Sequence, residues 1–341
     1  MKRPFALIGI TYLSVQAALF YLESDLAAAI LTAVCFIGTI VSLFILKNRN
    51  LRHTVLCFCL TAAFASTIFS GYNIFVKQPI VDKYSEREIY VTATVFEQPT
   101  VQYDTYRYLI ETDSINGKIE KLKICLSTIN ELNVEEFDRI SCVLPLKECT
   151  KSQMIADGAF LQASVNKNFA YIVKNTDDKP LYYQALKIRE NFADSFEQNM
   201  SQDCASLCRA VLLGEKTALS QEIQNDFTRC GVSFLIVVSG MHLAIISSFV
   251  FLCIKKIIKN RVLRSMIMLI CAFSFMAVTG FAPSVVRAGV MLAVVYSGKM
   301  FMRKGDSLNS LGIAALILTV PNPTAVADVG MLLSFTATLG I

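Results

Sequence analysis

The chain has 341 residues, 54% of them hydrophobic, with 32 Lys and Arg against 27 Asp and Glu and a net charge of +5. Its mean hydropathy is +0.50, and the apolar residues fall in blocks of about twenty, the length that crosses a bilayer at ~1.5 Å per helical residue. That pattern excludes a water-soluble globular domain and places the chain among integral membrane proteins, while the presence of only two histidines, His53 and His242, excludes a histidine-rich metal site.

Apolar blocks at residues 5–22, 26–46 and 55–76 predict three transmembrane helices in a first domain, residues 1–76. The first block is not a secretory leader, because Glu23-Ser24-Asp25 and a second apolar block follow it where a small-residue cleavage site would stand. Five further blocks lie at 234–254, 262–281, 285–302, 308–320 and 326–341, within a last domain that spans 232–341. The fourth of these is short and is expected to be re-entrant or broken, which is tolerated only where protein or water covers the backbone.

Basic residues stay on the cytoplasmic side of short loops. Lys2-Arg3, the loop with Lys47, Arg49 and Arg52, the loop with Lys255, Lys256, Lys259, Arg261 and Arg264, and Arg303-Lys304 alternate with Glu23/Asp25 and the uncharged Phe281-Ala282 turn. The expected topology is a multi-pass protein of the cytoplasmic membrane with its N-terminus inside and residues 77–230 outside the cell. Acidic residues outnumber basic ones in that outer interval, so the net positive charge is a topology signal and not evidence of a nucleic-acid surface.

Residues 77–179 alternate with a period of two: Ile89/Val91/Ala93/Val95, then Tyr106/Tyr108/Ile110, then apolar runs within 119–126, 140–146 and 160–165. Asn116-Gly117 favours a tight hairpin turn, since both residues take positive φ readily. Five or six such strands suit a small antiparallel domain, and closure into a barrel would remove its edges. Tyr103, Tyr106, Arg107 and Tyr108, with Lys118, Lys121 and Lys123, form the best local match to a surface that stacks single-stranded bases. Arg107 and Tyr108 are its candidate contacts, with plain sheet packing as the alternative.

From 180 to 231 the period rises to nearly four. Ile188, Phe192, Phe196, Met200, Cys204, Cys208 and Leu212 form one row, and Leu219, Ile223 and Phe227 resume it, while Arg189, Glu190, Asp194, Glu197 and Asp203 are expected to face away. These are amphipathic helices that either lie on the outer membrane surface or pack beneath the β domain; the spacing slightly exceeds 3.6, so a bend is expected.

In the last domain, residues 231–243 read G-V-S-F-L-I-V-V-S-G-M-H-L, and Ser239, Gly240 and His242 interrupt an apolar, β-branched run. Polar groups at bilayer depth line a path or pack against another helix. Leu212-Leu213-Gly214-Glu215 stand upstream. Downstream come Gly280-Phe281, Pro283-Ser284, Arg287-Ala288 and Met291, then Leu308-Asn309, and last Asp328, Gly330, Leu333-Ser334-Phe335 and Ala337.

In that order these residues resemble the competence domain of the ComEC family, membrane channels that bring single-stranded DNA into naturally transformable bacteria. The resemblance covers residues 200–341 by motif and the rest by arrangement. Phe234 stands where the family usually has His, and Met331-Leu332 where it has an aromatic-Gln pair. The resemblance implies an α-helical membrane bundle with an extracytoplasmic, OB-like small β-barrel and amphipathic helices at the membrane surface. It further implies single-stranded DNA as cargo, an extracytoplasmic DNA receptor and a cytosolic DNA translocase as partners, a lipid bilayer around the helices, and a homodimer as one option for assembly. On this reading Arg287, His242, Ser239, Gly240 and Asn309 are candidates for the DNA path, whereas Asp328, which would repel phosphate, and Ser334 are structural polar residues. Snorkelling of Arg287 and helix packing of the others are the alternatives.

No cofactor and no catalytic role are expected. Gly214-Glu215-Lys216-Thr217 lacks the upstream glycine and strand of a phosphate loop, and Ser239 with His242 has no third partner nearby in sequence. Nuclease activity in the family is attributed to a C-terminal domain resembling metallo-β-lactamases. The chain stops at Ile341 within an apolar run, so a truncated copy or fragment is expected. Cys125 and Cys142 are one candidate disulfide among six outer cysteines, and Cys204 with Cys208 are too few for a metal site. A secondary transporter for a small solute and a non-conducting remnant are the rival functions; the absence of an internal repeat counts against the first.

Overall fold

The computed structural model describes residues 3–22, 25–44, 48–96, 99–102, 105–165, 169–174, 180–215, 219–302 and 306–340. Lys2, Glu23, Ser24, Lys47, Tyr103, Lys179, Lys216, Thr217, Arg303, Lys304 and Ile341, which entered the readings above, lie outside the described residues. The described chain divides into two units. One comprises Met1–Lys83, Thr150–Gly158 and Val290–Ile341, the other Tyr84–Cys149 and Ala159–Gly289.

The first unit is helical. Pro4–Leu22 and Asp25–Phe44 follow the first two apolar blocks closely. The third is longer than its block: Asn48 caps Arg49–Tyr72 with its side chain, and the helix runs through a π-turn at Asn73–Lys77 into Gln78–Tyr84. Those 36 residues reach about 54 Å, well beyond a hydrocarbon core. Pro4–Leu22 packs against Arg49–Tyr72 and Ser307–Thr319. At the second crossing Gly9 meets Gly312 so closely that a Cβ on either would overlap backbone of the other helix. Small residues permit such an approach, which lets backbones make direct van der Waals contact. Leu13, Leu311, Ala315, Val326, Met331 and Phe335 form the adjoining core. The short block is not broken: Ser307–Thr319 is one continuous helix, a 3-10 turn Pro323–Ala327 follows it, and Val329–Gly340 comes after Asp328.

The second unit contains the strands β1 (Arg87–Val95), β2 (Thr100–Gln102), β3 (Thr105–Ile115), β4 (Lys118–Ile119), β5 (Lys123–Thr128), β6 (Arg139–Glu148), β7 (Ala159–Val165) and β8 (Tyr171–Lys174). Five of them close a barrel in the order β1-β3-β5-β7-β6 and back to β1, with β5–β7 the parallel pair and the others antiparallel. Ile89, Val91, Ile110, Ile124, Leu126, Ile140, Leu144 and Leu161 fill it, as period-two alternation requires. Asn116 and Gly117 take φ of 49° and 80°, the conformation their hairpin needs.

The order of closure overturns the candidate disulfide: β7 separates β5 from β6, and Cys125 and Cys142 are both free. Burial pushes the Cys142 thiol up to about 11. The connection between β6 and β7 belongs to the first unit. There Asn322 Nδ2 donates to Ala156 O at 2.7 Å and Thr324 Oγ1 to Ile155 O at 3.0 Å.

After the barrel come Leu181–Asn199, a break at Met200, Gln202–Cys208, a π-turn at Arg209–Leu213 and, past Gly214, Gln221–Arg229. The expected bend is thus at Met200. Ile188 (48%) and Phe192 (52%) remain exposed, whereas Leu186, Arg189 and Ala193 form the buried face. Arg189 was expected to face away and does not. Finally Gly240–Ile257, Arg261–Val278 and Pro283–Met300 follow in sequence. Pro4–Leu22, Arg49–Tyr84, Gly240–Ile257 and Arg261–Val278 are each long and apolar enough to cross a membrane.

Candidate functional site

The run 231–243 is not one helix. Its β-branched first half forms a 3-10 turn, Ser233–Ile236, and an extended step at Val237, and the helix begins only at Gly240. The expected span 234–254 therefore shifts toward the C-terminus. Ser239 is its N-cap and His242 its third residue: the Ser239 N–H donates to His242 Nδ1 at 3.1 Å, and Ser239 Oγ lies 3.0 Å from the same nitrogen. Histidine takes the place of the Glu or Gln of an ordinary capping box. Because Nδ1 accepts a main-chain N–H, the neutral ring carries its proton on Nε2.

Three more segments meet this helix start within the second unit. Ser284 Oγ, in the first turn of Pro283–Met300, donates to Val238 O at 2.6 Å. A Cβ on Gly240 would lie 2.8 Å from Ala288 Cβ, so only glycine admits the second helix at this crossing. Gly214, at φ 86°, sits beneath both; a Cβ there would be 3.5 Å from Thr279 O and 3.6 Å from Val238 Cγ2. Gly280 and Phe281 close the turn after Arg261–Val278, with φ of 67° and 51° and Phe281 N donating to Met276 O at 2.8 Å. Residues that are separate in sequence, Gly214, Ser239-Gly240, Gly280-Phe281 and Ser284 with Ala288, therefore form one knot at the helix ends. Arg287 belongs to the same helix start and is only 8% exposed; snorkelling to a surface does not describe it.

A chain of charges borders the knot. Arg189 Nη2 donates to Glu136 Oε1 at 2.7 Å and its Nε to Glu215 Oε1 at 3.0 Å. Arg209 places Nε and Nη2 at 2.9 Å from Glu215 Oε2 and reaches Glu197 with Nη1. Arg189 and Glu215 are buried and Glu136 is largely covered, whereas Glu197 is half exposed. Burial holds the Glu136 carboxyl above the usual glutamate range, a rise that neighbouring Arg189 only partly offsets. Arg189 and Glu136 were not singled out from sequence.

The remaining candidates have local explanations. Asn309 Oδ1 accepts from Ala6 N at 3.1 Å, joining two helices of the first unit, and Asn309 N donates to Asp306 Oδ1 at 3.0 Å. Asp328 Oδ1 accepts from Gly330 N at 2.9 Å at the start of Val329–Gly340, and Ser334 O accepts from Thr338 Oγ1 at 2.8 Å. On the barrel, among the described residues, Arg107 and Tyr108 do not share a face. Tyr108 points inward, 1% exposed, and its hydroxyl accepts from Leu132 N at 2.8 Å, while adjacent Arg107 takes the opposite face of β3. Among the described residues no three His, Cys, Asp or Glu side chains converge as a metal site would need.

Residues 211–341 match the family described as Competence protein. The chain is also 20% identical over 323 residues to ComE operon protein 3 of Bacillus subtilis (strain 168), an alignment that covers 92% of this chain and 41% of that relative. The chain thus spans less than half the length of the relative. No solved structure matches. The resemblance to the ComEC family is supported by both findings.

Proposed function

We propose that this is a ComEC-family chain that takes part in DNA uptake during competence and that its helices contribute to a path for one strand of DNA through the cytoplasmic membrane. The observation that carries the reading is the knot: the competence-matched segment brings Ser239, Gly240, His242, Gly280, Ser284 and buried Arg287 to one set of helix ends. A buried guanidinium and an imidazole with a free Nε2 donor suit a phosphate backbone that passes when the crossing opens.

Four long apolar helices and the basic loops support a multi-pass protein with the N-terminus inside and the barrel outside. The exposed stripe that includes Ile188 and Phe192 supports helices lying on the outer leaflet. In OB-like barrels the loop equivalent to the β6–β7 connection helps bind oligonucleotides. Here that connection belongs to the first unit and is held there by Asn322 and Thr324, which leaves it less free to grip a strand. An extracytoplasmic DNA receptor, a cytosolic translocase and a second copy are the partners this role calls for. No enzymatic step and no cofactor is assigned to the chain.

The test is transformation of the organism that encodes the chain. Arg287→Ala and His242→Ala should each lower transformant recovery with membrane abundance near that of the parent, and Arg287→Lys should recover part of it. Unchanged uptake in both alanine variants would refute the path. A cysteine placed at Lys118 should react with a membrane-impermeant reagent in whole cells and one at Lys259 should not; the reverse pattern would refute the topology.

A further inference from the structure

Two independent chains of contact run from the barrel to the Gly280–Phe281 turn, both within the second unit. The first is ionic: Glu136 in the loop before β6, Arg189 in Leu181–Asn199, and Glu215 after the π-turn, which also holds Arg209. The second is aromatic. Phe96 and Phe137 rings stand 5.6 Å apart, Phe137 and Tyr182 5.9 Å, Tyr182 and Phe281 5.2 Å, and Phe281 and Phe273 5.9 Å. Both pass through neighbouring residues of the same barrel loop and the same helix. Both touch a turn where Gly280 and Phe281 hold positive φ, a conformation that is strained for phenylalanine and persists only when its surroundings impose it.

Arg189 brings the ionic chain to the turn, as Tyr182 brings the aromatic one. A Cβ on Gly280 would come within 2.9 Å of Arg189 Nη1 and 3.7 Å of the Tyr182 hydroxyl, so the guanidinium fills the space that a side chain at 280 would take. Removal of Arg189 leaves Glu215 paired with Arg209 and takes from Glu136 the guanidinium it is bonded to. Net stabilisation does not explain the arrangement, since two charges withdrawn from water recover little of their desolvation even when well paired. Fixing one conformation among several is the use such a pair is suited to.

We propose that Arg189 is a positioning residue that seats the Gly280–Phe281 turn against the barrel loop around Glu136 and Phe137, so that displacement of the loop releases the turn while barrel and helices stay folded. This goes beyond the DNA-path reading and does not depend on it. The device would let whatever engages the outer barrel alter the helix ends where Ser284 and Arg287 lie.

Amide hydrogen exchange on the whole chain in lipid nanodiscs tests it. Arg189→Ala should accelerate exchange about tenfold or more at residues 277–284 and at 132–138, with β1, β3 and β5 unchanged. Arg189→Lys, which keeps the charge but cannot bridge two carboxylates with one planar fork, should do so in part and carries the test should the alanine variant not fold. Gly280→Ala should reproduce the effect by expelling the guanidinium, and Glu197→Gln should not. The inference is overturned by exchange at 277–284 that stays at the parental rate in the arginine variants, and equally by loss of protection throughout the barrel, which would make Arg189 a general stabiliser.

Discussion

The Gly9–Gly312 crossing makes the sharpest prediction about the helical unit. With Gly312→Ala the new methyl meets Phe5 O and C, and Ala6 Cα at 2.9 Å; these are main-chain atoms that cannot rotate aside. The helices must part, and such overpacking costs about 1–3 kcal/mol. Asn309 lies one turn before Gly312, so separation also strains its 3.1 Å bond from Ala6 N, worth about 1 kcal/mol. The expected loss is about 2–4 kcal/mol. Titration of the micelle-bound protein with dodecyl sulfate, followed by helical circular dichroism, measures it. Gly71→Ala is the control: no atom lies within 4 Å of its Cβ, and replacing a helical glycine by alanine gains up to about 1 kcal/mol. If Gly312→Ala proved no less stable than Gly71→Ala, the close backbone approach would be wrong.

Ser239→Ala and His242→Ala should each cost about 1 kcal/mol in the same titration, and the double variant less than their sum, because both groups serve one capping box. Tyr108→Phe should destabilise the barrel by about 1–3 kcal/mol, since the buried Leu132 N–H loses its acceptor; a neutral result would refute that bond. The pH dependence follows from Glu136, whose folded carboxyl titrates above the ordinary glutamate range because of burial. Folding then takes up a proton, so its contribution is largest below the ordinary range and fades as pH rises through the folded value. Glu136→Gln should flatten stability in that window, and an unchanged pH profile would refute the assignment.

Period and length in the sequence located the apolar blocks and the longer strands, although the third helix runs on to Tyr84 and the fourth begins only at Gly240, and Asn116-Gly117 located a hairpin, because these signals depend on neighbours along the chain. What period two also contained, the opposite facing of Arg107 and Tyr108, was obscured by treating a sequence cluster as a surface cluster. Ser239 and His242 were legible as a pair one turn apart; that they begin a helix follows from extending the capping-box pattern to histidine. Arg189 was not legible. A charge on the polar flank of a stripe is normally solvated, and its burial depends on Glu136, 53 residues earlier. Asn309 likewise answers to Ala6, 303 residues away, and no local pattern encodes such partners. Cys125 and Cys142 looked adjacent because β5 and β6 are consecutive among the barrel strands, whereas closure inserts β7 between them.

That insertion also sets an order of events during synthesis. β1 and β3 pair as a near-local hairpin, and β6 can join β1 once residue 148 has emerged, but β5 and β6 both keep an open edge until residues 159–165 arrive between them. An unpaired edge is a template for another chain, and parallel pairing across a long connection is slow. Thr150–Gly158, the segment that delivers β7, is itself secured by Asn322 and Thr324, which are made far later. The barrel therefore cannot close before residue 165 has been made, and until then β5 and β6 each present an unpaired edge.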